Sequence, residues 1–175
     1  MTSDMPRPTL REVFDEHAAY VWRALRHLGA PESEADDLCQ EVFVVVHRRL
    51  PTFEGRSSLR TWLYGICLRV ASDYRRRARV RYERPAADPA RDVAESGGLA
   101  PDQRAQARTE LLALLEGLDD DKRDVLVLYE IEGVPMIEVA EILGCPLQTA
   151  YSRLHAARAK LVELAKAREE NGSVQ

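Results

Sequence analysis

A chain of 175 residues, 45% apolar and 31% charged with a net charge of −4, has room for one globular domain or two small ones. No apolar run reaches the roughly 20 residues that cross a bilayer, and the polar start MTSDMPRPTLREVFDEH lacks a secretory core, so a cytoplasmic protein without membrane insertion is expected. Cys39, Cys67 and Cys145 are odd in number, far apart and outside any Cys-x-x-Cys pair, which argues against a disulfide framework and a zinc site.

Thr9 and Glu12 spell a capping box before the apolar stripe Leu10, Val13, Phe14, Val21, Leu25 and Leu28, and Gly29 ends that helix. Pro31 and Ser33 restart the chain. Residues 33–50 carry two signals. Val42 to Val46 favours a strand by propensity, yet Ala35, Leu38, Val42, Val45 and Val46 keep helical spacing. Acids lead while His47, Arg48 and Arg49 trail, which suits the helix dipole, so the segment is expected to be helical. PTFEGRSS at 51–58 is a loop: Pro51 stops the helix, Gly55 permits a turn, and Ser57 or Ser58 can cap a third helix. That helix is expected from about Leu59 to Tyr82, with Leu59, Trp62, Leu63, Ile66, Val70 and Tyr74 inward. Around it stand Arg56, Arg60, Arg69, Arg75, Arg76, Arg77, Arg79 and Arg81. Dipole compensation and solubility explain two or three of these. Phosphate neutralisation explains the run better, and Arg also stacks on bases.

Residues 84–104 have no apolar period and contain a Gly-Gly pair, so they are expected to form a flexible linker. Pro101 is placed to open the next helix, whose apolar residues are Leu111, Leu112, Leu114, Leu115 and Leu118. After a break at Gly117–Asp119, the acids 119–121 cap another helix carrying Val125, Leu126, Leu128, Tyr129 and Ile131, and Gly133 closes it. Pro135 suits the first position of a short helix with Ile137, Ala140, Ile142 and Leu143 on its apolar side. Gly144 can end it and Pro146 can open the last helix. There Ala150, Leu154, Ala157, Leu161 and Leu164 step by four and three. The opposite face holds Gln148, Thr149, Tyr151, Ser152, Arg153, His155 and Arg158, as a helix-turn-helix presents a reading helix to the major groove. An ordinary helical hairpin with a solvated polar face has the same pattern. The fold class is therefore all-α: two small helical domains joined by a flexible linker, the second containing a helix-turn-helix.

Charge is segregated along the chain. Residues 56–84 carry 9 basic and 2 acidic side chains, and residues 146–168 carry 5 and 1. Residues 1–55 carry 6 and 10, and residues 110–145 carry 2 and 10. Two basic blocks point to two contacts with a polyanion. The acidic blocks call for a protein partner, or for repulsion that keeps the free protein off DNA.

The ordered set DLCQEVF at 37–43, F-x-G at 53–55, LRTWLYGI at 59–66, ASDYRRR at 71–77 and AEILGCP with SRLHAARAKL at 140–161 resembles a bacterial RNA polymerase sigma factor of the sigma-70 family, extracytoplasmic-function type. The resemblance implies a region-2-like domain at 8–83, a linker at 84–104, a region-4-like helix-turn-helix domain at 105–168 and a tail at 169–175. It implies that Asp37, Leu38, Gln40 and Glu41 bind core polymerase at the beta-prime clamp helices, with the beta subunit a further contact. Phe53, Gly55, Arg56, Ser57, Ser58, Arg60, Arg69, Arg75, Arg76 and Arg77 would bind and melt the −10 element. Gln148, Thr149, Tyr151, Ser152, Arg153, His155 and Arg158 would meet the −35 element. An anti-sigma factor is an implied partner, and no cofactor or metal is implied. The family usually has Asn where Arg69 stands, and often basic residues where Tyr151 and Ala156 stand, so altered −10 and −35 contacts are expected.

Function is accordingly expected to be promoter recognition, DNA melting and transcription initiation. A helix-turn-helix repressor or activator that is no polymerase subunit is the alternative, and it predicts stable duplex binding by the free protein. An enzyme is not expected. His17, His27, His47 and His155 form no set with metal spacing, and no Gly-rich phosphate loop or nucleophile elbow occurs.

Overall fold

A computed structural model describes residues 8–82 and 103–172. Among the described residues every regular element is helical and none is a strand. The first domain holds α1 (Leu10–His27), α2 (Glu32–Arg49), a 3-10 turn at Leu50–Thr52 and α3 (Leu59–Tyr82). The second holds α4 (Gln103–Glu116), α5 (Asp120–Leu126), α6 (Met136–Leu143) and α7 (Leu147–Gly172). The expected linker lies outside the described residues except at its end, where Gln103 and Arg104 already belong to α4. Pro101 also lies outside them. The expected tail begins inside α7.

Local chemistry sets the ends. The capping box is formed: Thr9 Oγ1 accepts from Glu12 N at 3.3 Å, and Thr9 N donates to Glu12 Oε2 at 2.7 Å. That hydrogen bond to the backbone holds the Glu12 carboxyl below its ordinary pKa. Residues 33–49 are helical despite the valines, with Ala35, Leu38, Val42 and Val46 buried on one side. Of the two candidate caps Ser58 acts, its Oγ accepting from Thr61 N at 3.0 Å. Asp119 caps α5 by accepting from Lys122 N at 3.0 Å.

Three local expectations need correction. Pro135 is the residue before α6 rather than its first, and Ile137 is 62% exposed; Met136, Val139 and Ala140 are the buried residues there. Phe14 is 49% exposed, lying edge-on to Phe43 at 4.8 Å instead of entering the core. Val127–Ile131 continues α5 as a π-helical turn that no periodicity announced.

Gly144 sits in the left-handed region, at φ 62° and ψ 36°, and the next N–H, that of Cys145, reaches Ala140 O at 3.0 Å. An added Cβ would meet no atom within 4 Å, so the penalty of a side chain there is backbone strain alone. Gly144→Ala is expected to cost about 1–2 kcal/mol, read as a lower midpoint in thermal denaturation.

The two domains also pack on each other. Val21, Leu25 and Leu63 of the first and Leu115, Val125 and Leu128 of the second belong to one apolar cluster. Gly29 ends α1 at φ 88°, and a Cβ there would lie 2.8 Å from Arg123 Nη1 of the second domain. There the Arg123 guanidinium of the second domain lies against the Gly29 backbone of the first.

Candidate nucleic-acid interface

On α2, Asp37, Gln40 and Glu41 are exposed. Four residues separate the two acids, so they stand one turn apart on one face. Leu38 is not on it: at 2% exposure it is a core residue, and it can act at a partner surface only by seating the helix. Glu41 Oε2 lies 3.2 Å from Arg77 Nη2 on α3.

The loop between α2 and α3 borders a cavity of about 280 Å³ lined by Thr52, Phe53, Glu54, Arg56, Ser57 and Trp62. The Phe53 and Trp62 rings sit 5.0 Å apart. Trp62 packs against the core and lines the cavity, so one ring both positions the loop and walls the recess. Gly55 has φ 71° and open space where a Cβ would be. Arg56 Nε is 2.6 Å from Glu54 Oε2. A recess with aromatic walls, a serine hydroxyl and free loop backbone suits an unstacked base.

The α3 arginines divide into two sets. Arg69 is exposed and borders a second recess, of about 320 Å³, with Arg49, Arg56 and Trp62 on one side and Glu138 and Glu141 of α6 on the other. Arg76 is exposed and pairs with Asp73 at 2.9 Å. Arg75 departs from the expected free cation. Its side chain is 10% exposed, its Nη1 donates to Leu28 O, and its Nη2 is 3.2 Å from Asp124 Oδ2. Its Nε is 3.1 Å from Asp120 Oδ1. Arg79 reaches the same Asp120 at 2.5 Å. Arg60 meets Glu132 at 3.1 Å, with its guanidinium 4.4 Å over the Tyr20 ring.

In the second domain α6 and α7 pack as the helix-turn-helix pattern requires, with Ala150, Leu154 and Ala157 buried. Gln148, Tyr151, Ser152, His155 and Arg158 are exposed, and Thr149 and Arg153 are half-buried. Arg153 pairs with Asp121 at 2.7 Å, and Arg158 Nε donates to Glu130 Oε1 at 2.7 Å. Ser152 Oγ donates to Gln148 O at 2.9 Å.

Sequence reasoning missed three residues that organise these surfaces. Arg123 is buried and donates to Leu115 O at 2.9 Å, Leu118 O at 2.8 Å and Asp120 Oδ1 at 3.1 Å, closing the turn between α4 and α5. The Glu132 side chain is only 6% exposed, an ion held between the domains. Burial pushes the Asp124 carboxyl up to about 6, against the opposing pull of Arg75. A buried charge flanked by apolar residues was the only available signal, and KRDVLVL has that form. Among the described residues no group of His, Cys, Asp and Glu could hold a metal ion, and no helix is long and apolar enough to cross a membrane.

Residues 13–81 match the family described as Sigma-70 region 2, and residues 108–161 match Sigma-70, region 4. Over 162 residues the chain is 35% identical to RNA polymerase sigma factor CnrH of Cupriavidus metallidurans, covering 88% of this chain and 85% of that one. The solved structure of CnrH in complex with the cytosolic domain of CnrY aligns at a TM-score of 0.63 with 28% identity, covering 90% of this chain and 88% of that chain. ECF RNA polymerase sigma factor SigC of Mycobacterium tuberculosis is 32% identical over 145 residues, covering 81% of this chain and 75% of that one. Sigma factor RpoE in complex with the anti-sigma factor NepR, from Bartonella quintana, aligns at a TM-score of 0.61 with 27% identity, covering 87% and 96%.

Proposed function

The chain belongs to the sigma-70 family of RNA polymerase sigma factors, in its extracytoplasmic-function branch, and from that premise we propose how its surfaces divide the work of initiation. It is an RNA polymerase sigma factor, which sets aside the reading as a repressor or activator outside the polymerase. Asp37, Gln40 and Glu41 dock on the beta-prime clamp helices, and the recess at Phe53–Trp62 takes a base extruded from the non-template strand. Arg56, Arg60, Arg69, Arg76 and Arg77 hold the phosphates beside it, with Gly55, Ser57 and Ser58 shaping the loop. The exposed face of α7, from Gln148 to Arg158, reads the −35 element. The division at 8–83, 84–104 and 105–168 places one reader on each side of a tether, so two weak contacts add. The protein works in the cytoplasm without catalytic chemistry of its own, and an anti-sigma factor is its expected regulator, as NepR is for RpoE.

The observation that carries this reading is the loop recess beside an arginine-rich helix. Melting without ATP requires the separated strand to be bound better than the duplex. Stacking of about 1–3 kcal/mol per base makes this feasible for a few bases. The test is purified chain with core polymerase, assayed for promoter-dependent transcription; failure to associate with core would overturn the reading. Replacing Arg76 and Arg77 by Ala should flatten the salt dependence of promoter opening by roughly 1.4–1.8 in log–log slope, two phosphates' worth. An unchanged slope would remove those residues from the DNA contact.

A further inference from the structure

The first turns of α7 carry two separate stripes. Thr149, Ser152, Arg153 and Ala156 line a recess shared with Asp119, Asp120 and Asp121 of the α5 end. Gln148, Tyr151 and His155, spaced by three and four, form an exposed stripe beside it. Residues 147–158 contain two arginines and no lysine, and both arginines are engaged. Arg153 Nη2 lies 2.7 Å from Asp121 Oδ2, with its side chain 29% exposed. Arg158 donates from both Nε and Nη2 to Glu130 Oε1, at 2.7 and 2.5 Å. Arg158 also stands about 15 Å along the axis from Gln148. A reading helix meets base edges with its N-terminal residues, so Arg158 is placed for the backbone rather than for a base.

Guanine is gripped in the major groove by a cation that reaches O6 and N7 together. Among the described residues, no such fork is left on the exposed stripe. What stands there suits the other base pair. The Gln148 carboxamide donates and accepts side by side, as adenine N6 and N7 require. Tyr151 is 48% exposed, and Leu147, one turn earlier, is 43% exposed. An aromatic ring and a branched alkyl group held in water on this face match the C5-methyl of thymine. Ser152 Oγ is already committed to Gln148 O at 2.9 Å, and a neutral His155 offers one donor rather than a fork. We infer that this chain reads adjacent A·T pairs, and no guanine, in the −35 groove: Gln148 holds an adenine edge, Tyr151 with Leu147 packs on thymine methyls, and Asp121 and Glu130 keep the two arginines off the bases. This rests on the proposed role of α7 in reading the −35 element.

The experiment reconstitutes the full-length chain with core polymerase on a duplex library randomised through the −35 and −10 segments, and sequences the templates that yield transcript. The unaltered chain should enrich a −35 block with adenine or thymine favoured at neighbouring positions and guanine favoured at none. Gln148→Ala should erase the adenine preference at one position of that block. Tyr151→Arg installs the missing fork and should create a guanine preference of about fivefold or more at one position. Tyr151→Phe keeps the ring and should keep the unaltered profile. These side chains are exposed, so circular dichroism and melting temperature should not move with any of the three. A guanine-favouring position in the block selected by the unaltered chain would overturn the inference, as would a Tyr151→Arg profile identical to it. Either result leaves the −35 role of α7 standing. Enrichment of a −10 block with no −35 block would instead remove that role, and the inference with it.

Discussion

Replacing Asp37 and Glu41 together by Ala is expected to weaken binding to core polymerase by about 2–4 kcal/mol, roughly 30- to 1,000-fold, the range for truncating charged anchors at a protein interface. Both side chains are exposed one turn apart, while Leu38 and Val42 between and beside them are buried and keep α2 seated. The double variant should therefore keep its helical content and melting temperature. Glu41 also pairs with Arg77, so its loss frees a cation on α3. Asp37→Ala alone separates the effects: it should lose core affinity while leaving DNA contacts untouched. Equilibrium binding to immobilised core measures both variants. An affinity within twofold of the unaltered chain would show that the acidic face of α2 is solvated surface.

The second large effect lies in the interior of the second domain. Arg123→Ala should destabilise it by about 3–5 kcal/mol, the cost of breaking a buried charged network. Three acceptors lose their donor at once: the carbonyls of Leu115 and Leu118 and the carboxylate of Asp120. Through these two carbonyls Arg123 joins α4 to α5, and α5 packs on α7, so α7 loses its support. Calorimetry should register a fall of about 10 °C or more in the transition of this domain. Binding to the −35 element should fall with it, although Arg123 is buried and far from the exposed face of α7 in the chain. A melting temperature within about 2 °C of the unaltered protein would mean that water or a repacked neighbour replaces the guanidinium.

The contrast between these variants marks how far the chain alone could be read. Asp37 and Glu41 were legible because helical spacing and a short motif suffice to place them on one face. Arg123 was not, because Lys122 and Arg123 look alike in sequence: one is half-buried and pairs with Asp119 beside it, the other is a buried brace, and only the fold of α4 back over α5 distinguishes them. Leu38 lay within the same motif as Asp37, and spacing alone already put it on the buried side. Arg75, Arg76 and Arg77 formed a single basic run on paper. In the folded chain Arg75 turns to Asp120 and Asp124, Arg76 to Asp73, and Arg77 to Glu41.

Helix order, the caps at Thr9 and Asp119, the left-handed stop at Gly144 and the helix-turn-helix are set by the chain itself, because each depends on residues a few positions apart. The family is set there as well, since its motifs recur in order. Which cations stay free for a phosphate was decided only by the tertiary structure. Arg75 and Asp124 are 49 residues apart, and Arg60 and Glu132 are 72. Electrostatic partners across such separations are set by how two apolar surfaces pack, and no local pattern encodes that choice.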